Sequence, residues 1–292
     1  MTMKILVLGK AGQLAQALAF SQPAHLEVRY LGRDSLGLLS NAVLNEQLQA
    51  FTPDLIINAA AWTDVDQAER QSAACTLVNT ALVQWLIQWA KQQSTPLIHI
   101  STDYVFNGDA SQPYTEQSAT SPLNHYGQTK RDAELCLLKD YAAQTLILRT
   151  SWLYSGFGSN FLVKLLAILQ KNPLQELPMV TDQWGSPTSA LDLAKRIWML
   201  VQQQFRPGLY HYAGAQCVNR FDFATLIAER AHQAGLLTED ARFAPVTLAS
   251  FGAVANRPLY SCLDSSLLLE LQGWSQSGLS ADIDRELQRL LP

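Results

Sequence analysis

The stretch "NHYGQTKRD", residues 124–132, sets Tyr126 and Lys130 four positions apart. On a helix, residues i and i+4 are neighbours, so the phenol and the ammonium share one face. A phenol beside a cation ionises more easily than its ordinary value near 10 allows, which would suit a proton donor working at neutral pH. With 9 tyrosines and 8 lysines in the chain, a single pair at this spacing is a weak signal, and its companions must decide. The segment "STDYVFNG", residues 101–108, delivers Ser101, Thr102 and Asp103 directly after the apolar run "PLIHI". A hydroxyl there could meet the phenol on one carbonyl oxygen, although Thr102 alone would read as an ordinary turn cap. A third motif, "GKAGQLA", follows the first apolar run and places Gly9, Gly12 and Ala15 in a G-x-x-G-x-x-A spacing. Two glycines permit a tight turn and close approach of a pyrophosphate to helix N-terminal amides, and a small third residue lets helix pack on strand.

These three groups need a scaffold that brings strand ends together. The runs "KILVLG" (4–9), "LEVRYLG" (26–32), "DLIINAAA" (54–61), "PLIHIS" (96–101) and "TLILRTS" (145–151) are continuous apolar stretches, as expected of strands covered on both faces. Between them, "GQLAQALAFS", "NEQLQAF", "TALVQWLIQWAKQQ" and "YGQTKRDAELCLLKDY" repeat apolar residues every three or four positions. Strict alternation predicts βαβ units and an α/β fold, a Rossmann-type doubly wound parallel sheet over residues 1–151. From residue 152 to 292 the spacing loosens into a smaller α/β lobe expected to bind substrate. Helices are predicted over 160–171, 189–204 and 221–235, with a strand at 208–214. Residues of about 185–215 are expected to return to the first domain. Open sheets of this kind bind their ligands at the carboxyl ends of the strands, where Gly9 and Thr102 both fall.

Composition narrows the function further. Hydrophobic content of 48% with 16% charged residues describes a packed globular chain. A net charge of −4, with Lys and Arg scattered, gives no footprint for nucleic acid or an anionic membrane surface. The apolar run Ile5–Leu8 is too short for a secretory signal or a membrane span. Cys75, Cys136, Cys217 and Cys262 lie far apart without a C-x-x-C pair, which argues against zinc and reads as four reduced thiols in a cytoplasmic protein. After the second strand, Gly32 and Arg33 replace the acid that an NAD site uses for the ribose 2′-hydroxyl. Arg33 is thus the candidate 2′-phosphate contact, and NADPH is favoured. Asp34, one residue on, leaves NADH open.

The combined motifs resemble the extended short-chain dehydrogenase/reductase superfamily, and within it the dTDP-4-dehydrorhamnose reductase family. The resemblance spans nearly the whole chain through "GKAGQLA", "PDLIINAAAWTDVDQAE", "STDYVFNG", "SPLNHYGQTK", "RTSWLY", "DQWGSPT" and "RPLYSCLD", in that order. It implies NADPH-dependent reduction of the 4-keto group of dTDP-4-dehydro-6-deoxy-L-mannose to dTDP-L-rhamnose, by a monomer or homodimer. Carried over by residue, it makes Tyr126 the proton donor to the sugar O4. Lys130 lowers the phenol's pKa and holds the nicotinamide ribose, and Thr102 hydrogen-bonds the carbonyl. Asp103, Tyr104 and Trp152 would line the sugar, and Arg257 would meet the nucleotide diphosphate. Gly9, Gly12, Gln13 and Leu14 would line the cofactor pyrophosphate, Ala60, Ala61 and Thr63 would pass beneath the cofactor, and Leu39 would lie on its adenine side.

Two departures stand out. Where many members carry an acidic segment after the second strand, this chain reads "LGLLSN" at 36–41. The first helix and the helix after "PT" offer few acids, with Asp192 the exception, so no shared metal is expected. Among rivals, nucleotide-sugar 4,6-dehydratases place Thr-Asp-Glu at this strand end, because elimination of water needs a further carboxyl group. This chain has Thr102-Asp103-Tyr104, which fits simple carbonyl reduction. A catalytically silent regulatory subunit is the rival of another class, and the intact Thr102, Tyr126 and Lys130 oppose it. If Arg33 reads the 2′-phosphate, Arg33→Ala should weaken NADPH and leave NADH nearly unchanged in fluorescence titrations. Equal losses for both cofactors would contradict that role.

Overall fold

The structure, a computed structural model, describes residues 2–32 and 41–291. Arg33, Asp34 and Leu39 therefore lie outside the described residues. Six parallel strands form the central sheet: β1 (Lys4–Leu8), β2 (Glu27–Leu31), β3 (Leu55–Asn58), β4 (Leu97–Thr102), β5 (Thr145–Thr150) and β6 (Gly208–His211). Their order is β6-β5-β4-β3-β1-β2. The chain moves outward from β1 to β2, then crosses back to β3 on the other side of β1. That reversal opens a crevice at the carboxyl ends of β1 and β3.

The inner strands β1, β3, β4 and β5 bury both faces, which is why their sequences lack alternation, whereas the edge strand β2 is partly open. On one face Ile5, Val7, Ile57, Ile98, Leu146 and Leu148 pack under α1 (Gln13–Phe20) and α6 (Ala190–Gln202). On the other, Leu6, Leu8, Ile56, Leu97 and Ile147 pack under α2 (Asn41–Phe51), α3 (Leu82–Gln93) and α4 (His125–Asp140). A separate core joins α5 (Phe161–Lys171), α7 (Arg220–Gln233) and α8 (Leu279–Leu287) to a parallel pair of strands, Glu176–Val180 and Arg242–Val246. Glu286, fully buried on α8, ties the two cores together. Its carboxylate accepts from Ser189 Oγ at 2.6 Å, from the Leu191 amide at 3.2 Å and from the Gly156 amide at 2.9 Å.

Helix α4 is fixed on the sheet by charge as well as by apolar packing. Residues 126, 130 and 134 repeat at i+4 and all are buried. Glu134 accepts from Arg149 on β5, Nε at 2.9 Å and Nη2 at 2.6 Å, and from Ser101 Oγ on β4. The Arg149 guanidinium also lies 5.1 Å from the Phe106 ring centroid and 3.3 Å from Nε2 of His211 on β6. One carboxylate thus clamps the helix to two strands, and its arginine partner reaches a third.

The reading of four reduced thiols is overturned: Cys217 and Cys262 form a disulfide, with Cα atoms 5.6 Å apart, while Cys75 and Cys136 are free. The pairing depends on tertiary convergence. Val218–Asn219 pairs with Trp184–Gly185, and Tyr260 bridges to Trp184, so both cysteines are carried to one place from 45 residues apart. Among the described residues no helix is long and apolar enough to cross a membrane.

Removing one member of a buried ion pair strands the other charge, at a cost of about 3–5 kcal/mol. Glu134→Ala is expected to lower urea-unfolding stability by that order. A loss below ~1 kcal/mol would show that the clamp does not hold α4.

Candidate active site

The crevice between β1 and β3 is shaped by Gly9. Its φ of +113° is open only to glycine at low strain, and a Cβ there would lie 2.9 Å from the Ala59 and Ala60 backbone. Gly12 is the N-cap of α1 and no side chain caps that helix, so its first amides face the crevice without a side-chain partner. Gln13 extends the floor, with Nε2 donating to the Leu153 carbonyl at 3.1 Å and Oε1 accepting from Ser155 Oγ at 3.1 Å. The Leu14 side chain is buried in the core, so only its backbone can meet a ligand. Ala60 is buried, Ala61 partly so and Thr63 exposed, all on the loop that leaves β3. A Gly turn with no room for a Cβ and an uncapped helix start fit a dinucleotide pyrophosphate.

Thr102 ends β4 and Tyr126 lies on the first turn of α4, close enough for the Thr102 hydroxyl to pull the phenol pKa down. Asn124 caps α4 by accepting from the Gly127 amide at 2.8 Å. Gly127 is required for this approach, because a Cβ would collide with the Tyr104 carbonyl. The Tyr104 ring meets Tyr126 edge to face, with centroids 5.7 Å apart. Thr102 Oγ1 also accepts from the Tyr104 amide at 3.2 Å, so the turn-cap role and the reach to the phenol coexist.

Asp103 is buried among hydroxyls. It accepts from Thr102 Oγ1 at 3.0 Å, Ser151 Oγ at 3.1 Å and Ser261 Oγ at 2.6 Å. Burial pushes its carboxyl up to about 6, against the pull of these three donors. Ser151 and Ser261 lie in the segments "RTSWLY" and "RPLYSCLD", but their convergence on Asp103 appears only in the fold.

Lys130 is 2% exposed. Its Nζ donates to the Ile100 carbonyl at 2.6 Å and lies 3.2 Å from Nε2 of His99, whose Nδ1 is 3.1 Å from Asn58 Nδ2. Burial pushes Lys130 down to about 8, with Glu134 pulling it partly back. Burial and then Lys130 hold His99 well below its usual value, so the imidazole is neutral. The expectation that Lys130 makes the phenol easier to ionise is corrected. Burial raises Tyr126, opposed by the Thr102 hydrogen bond, and Lys130 is turned toward β4. His99 and Asn58 were legible as polar interruptions in the apolar runs "PLIHIS" and "DLIIN", and they pair in register across β4 and β3.

Trp152 leaves β5 with φ of +44°, the left-handed region that a bulky residue seldom adopts. Its indole is held against Gly185, where a Cβ would strike the ring, and the Arg220 guanidinium sits over its other part, 3.4 Å from the centroid. Arg257 is ion-paired to Asp66 at 2.8 Å. Arg220, on the first turn of α7, is the functional candidate that the sequence did not reveal. Among the described residues no group of three or more His, Cys, Asp or Glu side chains is placed to hold a metal.

A doubly wound parallel sheet with a glycine turn after β1, a hydroxyl ending β4 and Tyr-x-x-x-Lys on the next helix defines a short-chain dehydrogenase/reductase. The RmlD substrate binding domain family matches residues 3–291. The dTDP-4-dehydrorhamnose reductase of Escherichia coli (strain K12) is 36% identical over 273 residues, 90% of each chain. A dTDP-4-keto-6-deoxy-D-glucose reductase of Streptomyces niveus is 32% identical over 281 residues, 96% of this chain and 93% of that one. The crystal structure of the Bacillus anthracis dTDP-4-dehydrorhamnose reductase in complex with NADP superposes with a TM-score of 0.89 at 30% identity, covering 99% of both chains. The chain belongs to the dTDP-4-dehydrorhamnose reductase family.

The lowered Lys130 has a thermodynamic signature. Between about 8 and ~10.4 the unfolded chain binds a proton that the folded chain does not, so folding stability from this group rises with pH across that window. From pH 8 to 9.5, unfolding stability is expected to rise about 1–2 kcal/mol more in the wild type than in Lys130→Met. Parallel curves for the two proteins would contradict the buried, lowered lysine.

Proposed function

We propose that this protein is an NADPH-dependent reductase of a nucleotide-linked 4-keto sugar, converting dTDP-4-dehydro-6-deoxy-L-mannose to dTDP-L-rhamnose in the cytoplasm. The observation that carries the reading is the convergence of Thr102, Asp103, Tyr126 and Lys130 at the end of β4, beside a crevice shaped for a dinucleotide. Gly9, Gly12 and the backbone of Gln13 and Leu14 would hold the pyrophosphate, with Ala60, Ala61 and Thr63 beneath the cofactor. When bound, NADPH supplies a hydride to the carbonyl carbon.

The protein's own residues supply the proton. Reduction needs the phenol in its acid form, and the burial of Tyr126 keeps it there across neutral pH. An alkoxide is a stronger base than a phenolate, so the oxygen that develops charge takes the proton as it forms. Thr102 can reach the same substrate oxygen as Tyr126 once its hydroxyl proton turns from Asp103, to which it donates at 3.0 Å, toward that oxygen. Lys130, turned to the Ile100 carbonyl and His99, fixes the helical turn that follows the phenol. Tyr104, Trp152 and Arg257 would line the sugar nucleotide. At the third position of the strand-end triplet, where elimination would call for an acid, Tyr104 offers a phenol raised chiefly by burial.

The resemblance to the Streptomyces niveus enzyme favours one second reading, reduction of the 4-keto group of a 6-deoxy-D-glucose nucleotide. NADPH oxidation against a panel of dTDP- and UDP-4-keto sugars separates the two, and no turnover with any member would contradict the reductase. Tyr126→Phe is expected to lower kcat by ~10²–10⁴-fold with NADP⁺ binding retained, and Thr102→Val to slow turnover with a smaller effect on binding. A near wild-type rate in Tyr126→Phe would remove the phenol from the mechanism.

A further inference from the structure

The candidate site contains two arginines in unlike circumstances. Arg257 is neutralised by Asp66 at 2.8 Å. Arg220 has no carboxylate within 4.0 Å among the described residues and no side-chain hydrogen bond; its guanidinium contacts are the faces of Trp152, 3.4 Å from the centroid, and Phe161, 4.8 Å. The residue lies deep in the protein yet keeps part of its surface open. Arg257 also repels the Arg220 charge and adds to its cost. Stacking on two rings fixes the plane of the Arg220 fork without using any of its five N–H donors. Cation–π contact compensates a buried charge only in part. Asp103 and Tyr104 attract the Arg220 guanidinium only through space, so its N–H donors stay free for an anion beside the reacting end of β4.

We propose that Arg220 receives the diphosphate of the nucleotide sugar. This rests on the reductase reading, and it follows from charge: the keto sugar and the base are neutral, and the two phosphates are the substrate's permanent anionic groups. A planar fork matches two phosphate oxygens at once. The cofactor's own pyrophosphate has its cradle at Gly9 and α1, on the first domain, whereas Arg220 belongs to α7 and is reached across Trp152. Binding would thus pin the substrate through its diphosphate and lay the sugar along Trp152 toward Tyr126.

Calorimetry of dTDP in the presence of NADP⁺, with thymidine titrated by NMR, tests this without turnover. Arg220→Gln is expected to weaken dTDP by about 10–100-fold while thymidine and NADP⁺ are unchanged, because a charge-assisted contact to phosphate is what is lost. Arg220→Lys, which keeps the charge without the plane, should recover only part of the affinity and serves if Arg220→Gln melts early. Unchanged dTDP affinity in Arg220→Gln would overturn the proposal. So would equal losses of dTDP and thymidine in both variants, which would assign the arginine to packing on Trp152. A wild type that binds no dTDP at all would overturn the reductase reading beneath it.

Discussion

The site depends on a stripe of polar residues that α4 buries against β4. Tyr126, Lys130 and Glu134 lie one turn apart on the face where a helix of this kind would ordinarily carry leucines. Each must find partners, since buried charge is costly unless paired and hydrogen-bonded. Glu134 finds Arg149 and Ser101, and Lys130 finds the Ile100 carbonyl and His99. Those partners leave the helix one register on the sheet. Tyr126, at the open end of the stripe, is thereby delivered to Thr102. The proposed catalytic pair is a consequence of how the next two turns are satisfied.

The same burial sets the chemistry. Desolvation raises Tyr126 and Asp103 and lowers Lys130 and His99, in each case favouring the neutral form. For a reductase this suits the phenol, whose acid form is the working one. The spacing of Tyr126 and Lys130 suggested a different outcome, because i+4 proximity implies attraction between cation and phenolate. Spacing cannot show which way an ammonium turns. Here it turns to the backbone of β4, and desolvation is the larger effect on the phenol.

Legibility followed the range of the interaction. The strands of the first half were readable because burial on both faces leaves continuous apolar runs, and "GLYHYAG" likewise announced β6. Gly9, Thr102, Tyr126 and Lys130 were readable because each sits in a local motif tied to a strand end. The hydroxyls of Ser151 and Ser261, the Cys217–Cys262 bond and the Arg220 stack were not, since each joins segments far apart in the chain. The second lobe hid the parallel pair Glu176–Val180 and Arg242–Val246, whose short, proline-bearing sequences lack an apolar run. His99 stood in plain view as the one ionisable residue of "PLIHIS", and its meaning came only with Lys130 beside it.

The central claim is that a hydride is delivered to C4 of a nucleotide-linked keto sugar while Tyr126 supplies the proton to its oxygen. Incubating the protein with dTDP-4-dehydro-6-deoxy-L-mannose and NADPH deuterated at the transferred position, then locating the label by NMR, tests it most directly. The account requires one deuterium at C4 of dTDP-L-rhamnose. Deuterium at another sugar carbon, or none in the product, would contradict it.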